Sequence, residues 1–207
     1  MKFRHLALAA LACTSLSAQA ALTTYAPWDA QYPTIAGVQF NVVDNGTTTV
    51  ALGAHPFKNG VTMANNGVDT YYAPGGLYEP NRANWSFDYA WDLGTCTNCT
   101  VHLFVDTDPG EGKSYRELAL ENPGAGTYFE SWNMEMTFID GLLYNFDPFS
   151  VSSTWFMLQV YNAAGDAING VEILVDVPEP GSLALLGIGL AGIGGLVRRR
   201  KAGAVLA

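Results

Sequence analysis

Trp85-Ser86-Phe87-Asp88-Tyr89-Ala90-Trp91 decides the fold class of this 207-residue chain. Aromatic residues take every second position and small or polar residues the positions between. That period of two puts four rings on one face of an extended strand, whereas a helix would scatter them around its circumference. The alternation recurs downstream in Val101, Leu103 and Val105, and again in Met134, Met136 and Phe138. Upstream, Val38, Phe40 and Val42 run into Asp44-Asn45-Gly46 and then residues 48–52, the pattern of a hairpin with Asn-Gly turn chemistry. Residues 155–161 and 168–177 flank Ala163-Ala164-Gly165-Asp166 as a second hairpin.

The remaining stretches are rich in turn residues. Residues 58–81 hold Gly60, Gly67, Pro74, Gly75, Gly76 and Pro80 among Tyr71, Tyr72 and Tyr78, a long loop that packs through its tyrosines or stays mobile. Within residues 111–126 the pattern admits one helical turn, at 115–120. There is no long amphipathic helix between residues 21 and 177 and no repeat at solenoid or propeller spacing. Many short strands separated by turns predict an all-β chain, a single antiparallel β-sandwich domain over residues 21–177.

Both ends read as targeting rather than fold. Lys2 and Arg4 precede an apolar run at 6–16 and then Ala18-Gln19-Ala20, the layout of an export signal peptide (residues 1–20) cleaved before Ala21. A lipoprotein alternative at Cys13 has a poor lipobox, since Ala10-Leu11-Ala12 precedes it. With those 20 residues set aside, residues 21–179 hold four basic residues (Lys58, Arg82, Lys113, Arg116) and all 19 acids, a net charge of −15. This argues against nucleic acid, and against an anionic membrane surface, as a partner of the domain. Divalent cations and neutral or cationic polymers remain open.

Cys96 and Cys99 are the cysteines left after export, and in an oxidising compartment their spacing favours a local disulfide. The flanking threonines argue for strands rather than the helix N-terminus that a thioredoxin-type site requires. The sharpest metal candidate is Asp106-Thr107-Asp108-Pro109-Gly110-Glu111, leading to Glu117, whose carboxylates in a Gly-containing turn suit Ca²⁺. It is not an EF-hand, because Glu111 stands where the sharp-turn glycine belongs. A plain polar turn is the competing reading.

Among further acids, Glu130, Glu135, Asp140 and Asp147 are the pairings that glycoside hydrolysis would use. His55 and His102 belong to no Gly-x-Ser-x-Gly or HExxH pattern, which leaves nucleophilic and zinc-hydrolase readings without their parts. Gly187-Ile188-Gly189-Leu190-Ala191-Gly192 mimics a dinucleotide fingerprint but lies in an apolar run with no βαβ unit. Trp28, Trp85, Trp91, Trp132 and Trp155 would stack on sugars if they were exposed together, and serve as core if they were not.

The C-terminal stretch carries the most specific signal. Pro178-Glu179-Pro180 is extended and accessible, because neither proline continues a strand or a helix. Residues 181–197 hold 17 residues without a charge. As a helix they would extend about 25 Å, just short of the ~30 Å hydrocarbon core. Arg198-Arg199-Arg200-Lys201 follow, and by the positive-inside rule they keep the short tail, residues 202–207, in the cytoplasm and everything before Pro178 outside.

Pro178-Glu179-Pro180, the Gly- and Leu-rich run and the arginines Arg198, Arg199 and Arg200 together resemble the PEP-CTERM sorting signal of exopolysaccharide-producing Gram-negative bacteria. The resemblance covers residues 178–201. It implies an exosortase as partner, a transient stay in the inner membrane, and a mature protein at the cell surface or in the extracellular matrix. The expected function is that of an exported, exosortase-sorted protein without catalytic activity, associated with exopolysaccharide. A carbohydrate- or Ca²⁺-dependent adhesion module is the first alternative and a glycan-processing enzyme the second.

Overall fold

A computed structural model describes residues 21–58, 60, 62–108, 110, 112–139 and 146–178. The readings made for Ala18, Ala20, Glu111, Asp140, Glu179, Pro180 and Arg198 to Arg200, and the signal-peptide and membrane-span readings, lie outside the described residues. Among the described residues no helix is long and apolar enough to cross a membrane.

The elements in chain order are β1 (Thr23–Thr24), α1 (Ala26–Gln31), a 3-10 turn (Pro33–Ile35), β2 (Gln39–Asp44), β3 (Thr49–Pro56), β4 (Ala64–Asn65), β5 (Thr70–Tyr72), β6 (Leu77–Glu79), β7 (Arg82–Ala83), β8 (Trp85–Asp92), β9 (Thr100–Asp106), β10 (Tyr115–Leu118), β11 (Thr127–Asn133), β12 (Ser152–Tyr161) and β13 (Ala167–Val177). They form one sheet in the order β1-β2-β3-β8-β11, a second in the order β10-β9-β12-β13-β5-β4, and a small β6-β7 ribbon. The fold is all-β, mostly antiparallel and sandwich-like.

The aromatic row of β8 does what its period requires. Trp85, Phe87, Tyr89 and Trp91 all face the space between the sheets and are at most 1% exposed. Phe87 stacks on Phe156 of β12 at 4.3 Å and so joins the two sheets directly. Leu52, Leu103, Ile173 and Val175 complete the same core. Each such side chain contributes about 1.5–3 kcal/mol by burial.

The opposite face of β8 is buried too. Trp28 of α1 covers it, with Val38, Phe40, Ala51 and Ala90 in a second, smaller cluster. Phe40 lies so close over Gly53 that a Cβ there would sit 2.9 Å from its ring and 2.8 Å from the Gln39 carbonyl, so glycine is required for that approach. Asp88 is thereby sealed from solvent, and His55 Nδ1 meets its carboxylate at 2.7 Å.

The two anticipated hairpins are present. Asp44 pairs with Thr49, and Asn45 Oδ1 accepts from the amides of Thr47 and Thr48 while Gly46 takes φ +81°. Asn169 of β13 donates to the Thr48 carbonyl at 2.9 Å and so ties this turn to the other sheet. β12 pairs with β13 along their whole length. Cys96 and Cys99 form a disulfide in the connection from β8 to β9.

Four expectations are corrected. The sandwich is not wholly antiparallel, because β5 runs parallel to β13, with Tyr71 opposite Val175. Residues 58–81 are not one loop but contain β4, β5 and β6, anchored by buried Tyr71, whose hydroxyl donates to the Gln39 carbonyl at 2.7 Å. The helical turn at 115–120 is instead β10, because an open edge of β9 is there to pair with it. Met134, Met136 and Phe138 lie in successive turns, not a strand. Asn133 ends β11 by turning its side chain back onto Ala83 and the Trp85 carbonyl, which removes the chain from the sheet.

Candidate functional site

β10 and β11 are the free edges of the two sheets on one side of the sandwich, and a groove of about 450 Å³ opens there. Register dictates its lining. Tyr128, Glu130 and Trp132 of β11 stand opposite Trp91, Tyr89 and Phe87, so all three point inward although β11 is an edge. Tyr128 stacks on Trp91 at 4.7 Å, and Trp132 meets Tyr89 at 4.9 Å and Phe138 at 4.8 Å. The core's aromatic row therefore continues into a solvent-accessible wall. Leu118, Glu121 and Glu117 supply the other side.

Charge in the groove comes from Glu121 and Glu130. Burial first, then Glu130 and Glu121, raise the Tyr128 phenol above its ordinary range. Burial, reinforced by Tyr128 and the same two carboxylates, raises Tyr89 further. Both phenols stay protonated donors, and the Tyr89 hydroxyl is buried without a partner. Glu117 lies on the rim, with its carboxylate held by His102 Nδ1 at 2.6 Å. Glu130 Oε1 accepts from the Ser131 amide at 3.1 Å. Aromatic faces beside carboxylates accept hydroxyl and ammonium donors and the C–H faces of sugars.

The described calcium candidates, Asp106, Asp108 and Glu117, each hold a place in the fold's own hydrogen bonding. Asp106 is buried, and its Oδ1 accepts from the amides of Asp108 (3.0 Å) and Ser114 (2.7 Å). Asp108 caps the amide of Gly110 at 2.9 Å. Glu117 pairs with Phe104 on β9 and turns to His102, while Glu111 lies outside the described residues. Among the described residues no three His, Cys, Asp or Glu side chains are grouped so as to hold a metal ion.

Of the acids considered for glycoside hydrolysis, Asp140 lies outside the described residues, and the described ones line different places. Glu130 lies in the groove, and Glu135 lines a different depression together with Arg82. Asp147 is in an exposed turn, where the Ser150 hydroxyl and then the Phe149 amide hold its carboxyl below the usual range. Trp28, Trp85, Trp91 and Trp132 are buried. Trp155 is half-buried, with Lys113 Nζ 3.6 Å above its ring. Sequence reasoning missed Glu121 and Tyr128: Tyr128 stands two residues before Glu130 on the same face of β11, and Glu121 comes from the connection between β10 and β11. One local signal pointed that way: Glu130 is an acid at an inward position between two aromatics.

β13, which joins β12 to β5 in the second sheet, ends at Val177, and Pro178 is exposed. Residues 176–201 match the family model described as the PEP-CTERM protein-sorting motif. The chain carries that sorting signal. The PEP-CTERM motif implies processing by an exosortase at the membrane, and so an exported protein. No curated protein and no solved structure matches the chain.

Proposed function

We propose that this PEP-CTERM protein is an exported, non-catalytic component of the extracellular polysaccharide matrix, with residues 181–197 as a temporary inner-membrane anchor. One observation carries the reading: the sorting motif begins at Asp176, at the end of β13, so all the described strands lie on the N-terminal side of Pro178-Glu179-Pro180. Cleavage near Glu179 removes the anchor and leaves every core strand in place. The strongly acidic domain then stays soluble at the cell surface through its own charge.

Replacing Pro178-Glu179-Pro180 by alanines is expected to trap the precursor in the membrane, and unchanged processing refutes the sorting assignment. The matrix role is tested by fractionation. A processed protein that separates cleanly from exopolysaccharide on sizing removes that part of the reading.

The groove between β10 and β11 favours a second reading, a carbohydrate-binding adhesion module. Tyr128→Ala and Glu130→Gln are expected to weaken glycan binding about tenfold or more, given ~1–3 kcal/mol for a lost aromatic stack or charged hydrogen bond. Equal binding by wild type and both variants disposes of it. Calcium dependence stands or falls on whether Ca²⁺ raises the melting temperature.

A further inference from the structure

Among the described residues seven large apolar side chains are 36–68% exposed; Val68 and Phe138 lie elsewhere, and the other five are Tyr72, Leu77, Tyr78, Phe149 and Val151. Single exposed apolar residues are ordinary, but these converge on one place, the end of β13. Phe149 shares a depression of about 250 Å³ with Gly75, Gly76, Val177 and Pro178. Leu77 follows Gly76, whose amide donates to the Pro148 carbonyl. Val151 precedes Ser152, the register partner of Val177, and Tyr72 is paired with Asp176. Tyr78 packs edge-on against Phe57 at 5.5 Å, and Lys58 Nζ lies over the other ring.

Electrostatics at this end differ from the domain's average. Two of the four basic residues of segment 21–179 are nearby in the fold, Lys58 over the Phe57 ring that packs on Tyr78, and Arg82 on β7 beside β6. Two of the patch's acids are engaged internally. Asp147 accepts from the Ser150 hydroxyl at 2.6 Å and the Phe149 amide at 3.0 Å, and Asp176 accepts from Ser153 at 2.9 Å; Glu79 is exposed on β6, opposite Arg82 in the β6–β7 register.

The length of chain beyond the patch selects its occupant. Only Pro178, Glu179 and Pro180 separate Val177 from the uncharged segment 181–197. Fully extended, that link reaches at most about 14 Å. With the segment in a bilayer, the end of β13 is therefore held at the headgroup layer, at high effective concentration. Tyrosines, a lysine over an aromatic ring and a protruding Phe are the side chains that favour that layer.

We propose that this face seats on the lipid headgroup layer of the membrane holding residues 181–197, so that the precursor's domain is docked and not merely tethered. The inference rests on the membrane-anchor reading above. Docking fixes the domain's orientation and presents Glu179 at the membrane surface, where a membrane enzyme acts.

The test uses the full chain in phosphatidylcholine nanodiscs containing doxyl-labelled lipid, in a Cys13→Ser background. A bimane fluorophore is placed at Val151→Cys or, as control, at Ala164→Cys in the far β12–β13 turn. Docking is expected to quench the Val151 site at least twofold more than the Ala164 site. It is also expected that Phe149→Ser with Leu77→Ser abolishes the difference while nanodisc incorporation is kept. Incorporation with equal quenching at both sites overturns the docking alone. So does a difference that survives the double substitution, since the tether by itself would then account for it. A chain that fails to incorporate overturns the anchor reading and the docking together.

Discussion

Burial by itself lowers the His55 pKa, but the charge and hydrogen bond of Asp88 more than offset it, and the net shift is upward from 6.5. A raised folded-state value means that the protonated pair stabilises fully below the unfolded pKa and loses its contribution as pH rises through the folded one. Urea unfolding is therefore expected to show stability falling as pH rises above about 6.5 and through the raised folded-state value, with that part of the slope absent in His55→Ala. The substitution itself leaves Asp88 buried without its partner, at a cost of about 3–5 kcal/mol. Adding Asp88→Asn is expected to recover most of this loss; no recovery means that the pair is not what holds the site. Asp106→Ala strands two amides and is expected to cost about 1–3 kcal/mol, with or without Ca²⁺. Neither buried acid was legible as such in the sequence, because Asp88 alternates with aromatics like any solvent-facing strand residue. It lies on the face of β8 where Ala90 packs with Trp28 of α1, some 60 residues earlier in the chain.

At the scale of elements, the short connection from β8 to β9 is closed by Cys96 and Cys99. A loop this small removes little unfolded-state entropy, so Cys96→Ser with Cys99→Ser is expected to lower stability by no more than about 2 kcal/mol in chemical denaturation. A larger loss would mean that buried Cys99 acts mainly through packing. The hairpins β2–β3 and β12–β13 were legible because their information is local: Asn-Gly or Gly-Asp between alternating runs. β10 was not, since Tyr115-Arg116-Glu117-Leu118 has no strong preference of its own and becomes a strand by pairing with β9. Met134, Met136 and Phe138 misled for the converse reason. Period two persists there, but Asn133 spends its side-chain hydrogen bonds on the start of β8, and successive turns follow.

At the scale of the whole molecule, β13 is the strand on which closure depends, since it joins β12 to β5 and contacts β2 and β3 across the core. Ending the chain after Pro178 is expected to leave the melting temperature within a few degrees of the full chain's, whereas ending it before Val171 is expected to abolish cooperative unfolding. Calorimetry decides both. With −15 charges on segment 21–179, moderate NaCl is expected to raise the melting temperature by screening self-repulsion. The sequence by itself determined the all-β class, the two hairpins, the local disulfide and the sorting signal, because each is written in contiguous residues. Tertiary structure alone decided the parallel β5–β13 pair, the burial of Asp88 with His55, the groove that gathers Glu121, Tyr128 and Glu130, and the apolar face around Val177. Each of these depends on which distant strands become neighbours, and that choice is made by the shared burial of the whole core.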